Sequence, residues 1–226
     1  MLMTAPHPPK LRANRLRCLC FCLPALIAVA CVGHAHSAVT MEDPAPNAPA
    51  PSVTSCVSCH GASGAGTATG VPRLAGKNPE YLAHALSMFR AGTRASVVMQ
   101  SVAHDLSDSE ISSLAVYFSA QNPPRVQAEH PPSPAKVMAG KQLAELGAAP
   151  GVPACFSCHA ADGKGNGARY PGIAGEPAPF VINRLHEFQA RAKAGISSPG
   201  TMTAVAATLS ERQIEEAAAY LSVIEP

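Results

Sequence analysis

The sequence predicts an all-α protein made of two tandem copies of one module. The first observation is an internal repeat: the motif Cys-x-x-Cys-His at residues 56–60 recurs at 155–159, and the chain around both copies repeats at the same offset of 99 residues. The second is helical patterning, because apolar residues recur at three- and four-residue spacing and neither copy has a run of alternating β-branched residues. A chain of 226 residues, 47% of them apolar, is long enough for two such domains.

The first 38 residues have the pattern of a secretory signal peptide. Four basic residues and no acid precede an uncharged apolar run at 18–32, and small residues follow at 33–38. The run is too short for a comfortable membrane-spanning helix. We therefore expect residues 1–38 to be removed and the mature protein to reach the periplasm. An uncleaved anchor helix and a lipid-anchored form are the alternatives, and peripheral association with the membrane stays open.

Proline-rich segments set the expected domain boundaries. Residues 39–52 form a Pro/Ala-rich lead-in, and residues 122–135 contain five prolines and are typical of a semi-extended linker. The first domain is therefore predicted at 53–121 and the second at 136–226.

Each module is predicted to begin its last helix with a capping box. Ser107 with Glu110, and Ser210 with Gln213, have the spacing at which a hydroxyl and a reaching side chain satisfy the free amides of a helix start. The helices that follow are expected to bury one face each. The residues of these faces are Ile111, Leu114, Ala115 and Phe118 in the first module and Ile214, Ala217, Ala218 and Leu221 in the second.

Three further helices are predicted before these capped ones. One runs over about 79–90 in the first module, and its counterpart runs over about 179–193 in the second. A third, over 136–146, leads into the second motif and has no equivalent before the first. We therefore expect a helix before the motif of the second module and a Pro-rich segment before the motif of the first.

The repeated Cys-x-x-Cys-His motif is the attachment signature of c-type haem. Two thiols two residues apart can each bond to a vinyl group on one porphyrin edge, and the adjoining His can then bind the iron. A zinc ribbon would normally have its cysteine pairs 15–20 residues apart, and a thioredoxin-type motif needs a βαβ context. The residues predicted to hold two covalently bound haem c groups are Cys56, Cys59, Cys155 and Cys158 as attachment sites and His60 and His159 as iron ligands.

The internal repeat also selects a second ligand for each iron. The candidates in the first module are Met88, Met99, His84 and His104, and only Met99 has a liganding residue, Met202, at the equivalent position. An isolated Met more often packs in a core, but these two each lie eight residues before a capping serine. We predict Met99 and Met202 as axial ligands, with Met88 as the remaining alternative for the first haem.

Further segments resemble class I cytochromes c. Residues 72–76 and 171–175 look like the Pro-x-Leu-x-Gly segment of that class, in which the Pro carbonyl accepts the ring N–H of the proximal His. The resemblance assigns that role to Pro72 and Pro171. Two such modules, with Leu-Ser-Asp-Ser-Glu-Ile at 106–111 and Leu-Ser-Glu-Arg-Gln-Ile at 209–214, resemble the di-haem cytochrome c4 family. That family implies two tandem class I cytochrome c domains related by a pseudo-twofold, each wrapped around one covalently bound haem.

The resemblance implies an exported electron carrier, not an enzyme. Its expected redox partners are a quinol-cytochrome c reductase or other donor and a terminal oxidase or other acceptor in a respiratory chain. No small-molecule substrate is expected, because two axial ligands leave no open position on either iron. A formal charge of +2 argues against a nucleic-acid partner.

Two other functions compete with the free carrier. One is a di-haem subunit of a dehydrogenase complex such as flavocytochrome sulfide dehydrogenase, which the sequence separates poorly from a carrier. The other is a di-haem peroxidase or thiosulfate dehydrogenase, which would need an iron with a displaceable ligand. The repeated Met pair disfavours this second class.

Overall fold

A computed structural model describes residues 53–226, and the predicted signal peptide (1–38) and lead-in (39–52) lie outside the described residues. The described part is built from helices and turns, with two isolated bridges, Ala148 to Val152 and Asn166 to Tyr170, and no strand. The all-α prediction is confirmed. Within residues 53–226, none of the helices has the length and apolar character that crossing a bilayer requires.

The helices follow the same order in both modules, except that the second module begins with one additional helix. In the first module they are α1 (Val53–His60), α2 (Pro79–Arg90), α3 (Val97–Ala103) and α4 (Asp108–Ser119). In the second they are α5 (Pro134–Leu146), α6 (Phe156–His159), α7 (Ala178–Lys193), α8 (Met202–Ala207) and α9 (Glu211–Leu221). A single 3₁₀ turn follows each motif, at Ala62–Gly64 and Ala161–Gly163.

The long helices agree with the sequence prediction, with small shifts at two starts. Helix α2 has the predicted bounds, and α7 starts one residue early. Helix α5 starts at Pro134 instead of 136, because the Ser133 hydroxyl accepts a hydrogen bond from the backbone N–H of Lys136 and Pro fits the first helical turn. The short helices α1, α3, α6 and α8 were not predicted.

Both capping boxes are present. The hydroxyls of Ser107 and Ser210 accept hydrogen bonds from the backbone N–H groups of Glu110 and Gln213, whose side chains accept in return from the serine N–H groups. The helices that follow bury every residue of the two predicted faces. Helix α4 packs on α2 around Leu82 and Phe118, and α9 packs equivalently on α7.

Helix α5 gives the second module an extra layer. It packs on α9, with Leu143 of α5 and Ala217 of α9 in one buried cluster with Val152. The two helices approach so closely at Gly140 that a Cβ there would lie 1.9 Å from the carbonyl oxygen of Glu216. Only glycine allows this approach without displacing the backbone of α9.

Candidate haem sites

The cysteines of both motifs have the same arrangement. Cys56 and Cys59 lie on α1, and Cys155 and Cys158 lie at the start and inside of α6. None of the four forms a disulfide among the described residues; the first of each pair is half-buried and the second is exposed. Burial raises the pKa of Cys56 and raises that of Cys155 to about 11. Each motif therefore places two cysteine side chains on one helical turn.

A short hydrogen bond fixes the histidine of each motif. Nδ1 of His60 lies 2.8 Å from the carbonyl oxygen of Pro72, and Nδ1 of His159 lies 2.7 Å from that of Pro171. A carbonyl oxygen only accepts, so Nδ1 carries the proton and donates it. The two predicted His–Pro contacts are thus present, one in each module.

The remaining ring nitrogen of each histidine suits a metal. Both rings are 6% exposed, and burial lowers the pKa of both against the opposing effect of the proline hydrogen bond. Each ring is therefore neutral and keeps a lone pair on Nε2. Nε2 has no hydrogen-bond partner among the described residues. Every fully buried side-chain nitrogen or oxygen of these residues does have a partner, so Nε2 must be partly accessible. The donor set fits haem iron.

Glycines let the proline segment approach the motif. The carbonyl oxygen of Gly64 accepts hydrogen bonds from the backbone N–H groups of Leu74 and Ala75, at 2.9 and 3.0 Å. Gly66 has φ +87°, and a Cβ there would lie 3.0 Å from the backbone nitrogen of Arg73. The second module repeats this, since a Cβ on Gly165 would lie 2.4 Å from the backbone nitrogen of Gly172. The sequence analysis missed these glycines, although their shared 99-residue offset is a signal that marks them.

The predicted methionine ligands lie on two short helices that are equivalent in the two modules, α3 and α8. Met99 is the third residue of α3, and Met202 is the first residue of α8; both are half-buried. Like Phe156 and Phe188, Met202 packs against the buried apolar cluster of the second module. Their bonds to iron stay a prediction.

The competing side chains of the first module are placed differently. His104 is exposed and pairs with Asp105, and His84 is also exposed. Met88 is half-buried in α2. Burial therefore separates the two methionine candidates from the histidines.

Comparison with known proteins identifies the family. Residues 52–118 and 139–221 match the family model described as cytochrome C oxidase, cbb3-type, subunit III. The chain is also 33% identical over 177 residues to cytochrome c4 of Azotobacter vinelandii, covering 74% of this chain and 82% of that protein. The chain belongs to the di-haem cytochrome c4 family. It is a di-haem electron-transfer cytochrome with two covalently bound haem c groups.

Two further relatives of this c4 cytochrome are informative. The thiosulfate dehydrogenase electron acceptor of Thiomonas intermedia (strain K12) is 34% identical over 174 residues, covering 76% of this chain and 79% of that protein. The solved structure of Acidithiobacillus ferrooxidans cytochrome c4 superposes with a TM-score of 0.65 at 31% identity, covering 76% of this chain and 99% of that one. The c4 fold confirms the prediction of two tandem class I cytochrome c domains.

Two basic residues, the buried Arg94 of the first module and the half-buried Arg184 of the second, were also not predicted from the sequence. Arg94 is 8% exposed and its guanidinium lies 4.7 Å from the ring centre of Phe89, while Arg184 stacks 4.3 Å from Phe188. Burial, and next the charge of Arg94, lower the pKa of Arg184. The modules thus bring two cations near each other, and Arg184 is also paired with the carboxylate of Glu187. Phe89 and Phe188 occupy equivalent positions of the repeat, and this equivalence is the signal in the sequence that could have pointed to the two arginines.

Proposed function

We propose that this cytochrome is a periplasmic electron carrier that takes single electrons from one redox protein and passes them to another without catalysing a reaction. The observation that carries the proposal is the repeated proximal contact, in which a buried histidine donates Nδ1–H to a proline carbonyl and keeps Nε2 free. Two sites built alike favour two irons of one function over one carrier and one catalytic centre.

The proposed haem-binding residues are those that the motifs and the repeat select. They are the thioether residues Cys56, Cys59, Cys155 and Cys158, the axial pairs His60 with Met99 and His159 with Met202, and the carbonyl acceptors Pro72 and Pro171. The bound haem supplies a one-electron iron couple. The proline carbonyls orient each imidazole and raise its basicity. Thioethers are neutral, soft ligands that favour reduced iron and occupy the position that an oxidising substrate would need.

We also propose the domain limits and the route of export. Residues 53–121 form the first haem domain, and residues 136–226 form the second together with the first two residues of α5, Pro134 and Ala135. The rest of the predicted linker 122–135 joins them, after a signal peptide (1–38) and a lead-in (39–52). Haem would then be attached to the two cysteines of each motif after export, in the periplasm. Sequencing the N-terminus of the mature protein tests the cleavage position.

The proposed partners are a quinol-cytochrome c reductase as donor and a membrane-bound terminal oxidase as acceptor. Electron-transfer partners dock through small, wet interfaces, so the carrier must leave each one quickly. A loose association with the membrane surface would place it beside both.

A second candidate is a fixed electron-accepting subunit of a dehydrogenase complex. The observation that favours it is the similarity to a protein named as the electron acceptor of thiosulfate dehydrogenase. In that case the chain would again transfer electrons and leave catalysis to its partner.

Purification and rapid mixing distinguish the two candidates. The mature holoprotein, mixed with reduced reductase membranes and then with oxidase membranes, is expected to reduce and reoxidise both haems at rates that fall with added salt. Co-purification in a constant ratio with a dehydrogenase, with no exchange with either membrane, would favour the fixed subunit. Loss of all exchange in a variant without either haem-attachment pair is the control.

A further inference from the structure

A buried ion pair joins the two modules at repeat-equivalent positions. Lys77 and Glu176 are separated by the same 99 residues as the two motifs, and Nζ of Lys77 lies 2.5 Å from Oε1 of Glu176. Their side chains are both 6% exposed. Two residues that occupy one position of the repeat therefore carry opposite charges and meet each other.

The carboxylate is connected to the histidine of the other module through one peptide group. Oε2 of Glu176 accepts a hydrogen bond from the backbone N–H of Arg73 at 3.1 Å. The carbonyl of that same peptide belongs to Pro72, and its oxygen accepts the Nδ1–H of His60 at 2.8 Å. A negative charge on the N–H side polarises the peptide and makes its oxygen a stronger acceptor.

The ammonium lies on the opposite side, beside the second proximal segment. Nζ of Lys77 donates a hydrogen bond of 2.6 Å to the carbonyl oxygen of Gly172, the residue that follows Pro171. The carbonyl of Pro171 is the acceptor for His159. Each module thus places its charge next to the proximal segment of the other.

We propose that Lys77 and Glu176 are positioning residues that separate the reduction potentials of the two haems, Glu176 lowering that of the first and Lys77 raising that of the second. This rests on the proposed ligation of the irons by His60 and His159. A carboxylate near an iron favours its oxidised, more positive form, and an ammonium favours the reduced form. Charges withdrawn from water interact more strongly than exposed charges at the same separation.

A further buried charge beside the ion pair belongs to Arg73, which is 2% exposed. Its guanidinium donates to the carbonyl oxygens of Ala75, Pro123 and Pro124, at 3.0, 2.8 and 3.4 Å. It therefore anchors the start of the linker. Its hydrogen bond to Glu176 comes from the backbone N–H. Burial lowers the pKa of the guanidinium, and the charge of Glu176 acts against this. Substitutions at Lys77 and Glu176 remove none of the three carbonyl acceptors of this guanidinium.

The test is a redox titration of the holoprotein in which NMR signals assign a potential to each haem. Single removal of one partner would leave a buried unpaired charge and destabilise the fold. We therefore combine Lys77→Met with Glu176→Gln, which removes both charges while Gln keeps an oxygen to accept from Arg73. The matched control is Lys136→Met with Glu215→Gln, which removes an exposed pair with the same 2.5 Å separation.

The first expected result is a smaller difference between the haems. In the neutral double variant, the equilibrium constant for electron transfer from the first haem to the second should fall at least about threefold, where tenfold corresponds to 59 mV for one electron. The control should leave that constant unchanged. A second variant, Lys77→Glu with Glu176→Lys, keeps the pair but reverses it, and should reduce the constant further.

Other outcomes decide against the proposal. Unchanged potentials in both double variants, with spectra showing intact ligation, would overturn it. Failure of both variants to fold would assign the pair a purely structural role and also contradict it. The proposed ligation fails separately, since it is judged from the spectrum of the unchanged protein.

Discussion

Nδ1 of His159 donates to the carbonyl oxygen of Pro171 over 2.7 Å, and this contact repeats that of His60 with Pro72 to within 0.1 Å. Twelve residues separate the partners in each module. The proximal sides of the two sites are therefore the same local structure, built twice. A change confined to one motif should affect one haem and leave the other as an internal reference.

Removal of one attachment pair should halve the haem content. Replacing Cys56 and Cys59 by Ser removes the two thiols of the first module, whereas the second pair is untouched. The covalent haem per chain, measured by mass and by the pyridine haemochrome spectrum, should fall from two to one. Ser58→Ala, an exposed change inside the same motif, is the control and should keep both haems. Two haems in the Ser variant would contradict the assignment.

Each predicted methionine ligand should contribute half of the sulfur-to-iron signal. The weak long-wavelength charge-transfer band of oxidised Met-ligated haem should lose half its intensity in Met99→Ala or in Met202→Ala, and all of it in the double variant. Met88→Leu should leave the band unchanged. A band that survives Met99→Ala and disappears partly in Met88→Leu would transfer the first ligand position to α2.

The two capping boxes should respond differently to acid. Hydrogen bonds from Ser107, side chain first and backbone second, lower the pKa of Glu110 from its ordinary 4.5, whereas Gln213 does not titrate. The folded form thus holds the ionised Glu110 more strongly than the unfolded chain does. Its contribution is complete above the unfolded pKa and is lost as the pH falls through the lower folded value.

Hydrogen exchange, followed separately for each helix in variants of the two capping serines, measures this difference. Ser210→Ala should cost about 1 kcal/mol of the stability of α9 at neutral and at acid pH alike. Ser107→Ala should destabilise α4 at neutral pH and have a smaller effect in acid, where the box is already weakened. Equal pH dependence of the two variants would contradict the prediction.

Local signals explain which parts of the fold the sequence could predict. Capping boxes and buried faces are encoded within one helix, and the structure has them at Ser107 and Ser210 as predicted. Helices α3 and α8 have seven and six residues, too few for a clear periodicity, and their formation depends on packing. Lys77 and Glu176 occupy one position of the repeat, but only the folded chain shows that these two side chains meet across the interface.

The close approach of α5 to α9 should make Gly140 intolerant of any side chain. In Gly140→Ala the new Cβ would meet the carbonyl oxygen of Glu216 at 1.9 Å and Cβ of Tyr220 at 2.8 Å, so the helices must separate. Overpacking of this kind costs about 3 kcal/mol. The free energy of unfolding of the holoprotein should fall by that amount, with hydrogen exchange increasing in α5 and α9 and unchanged in α2 and α4. Met138→Ala on the same helix removes a side chain that is 68% exposed, and it should change stability by less than about 0.5 kcal/mol. Equal effects of the two substitutions would show that α5 does not stabilise the second module by this contact.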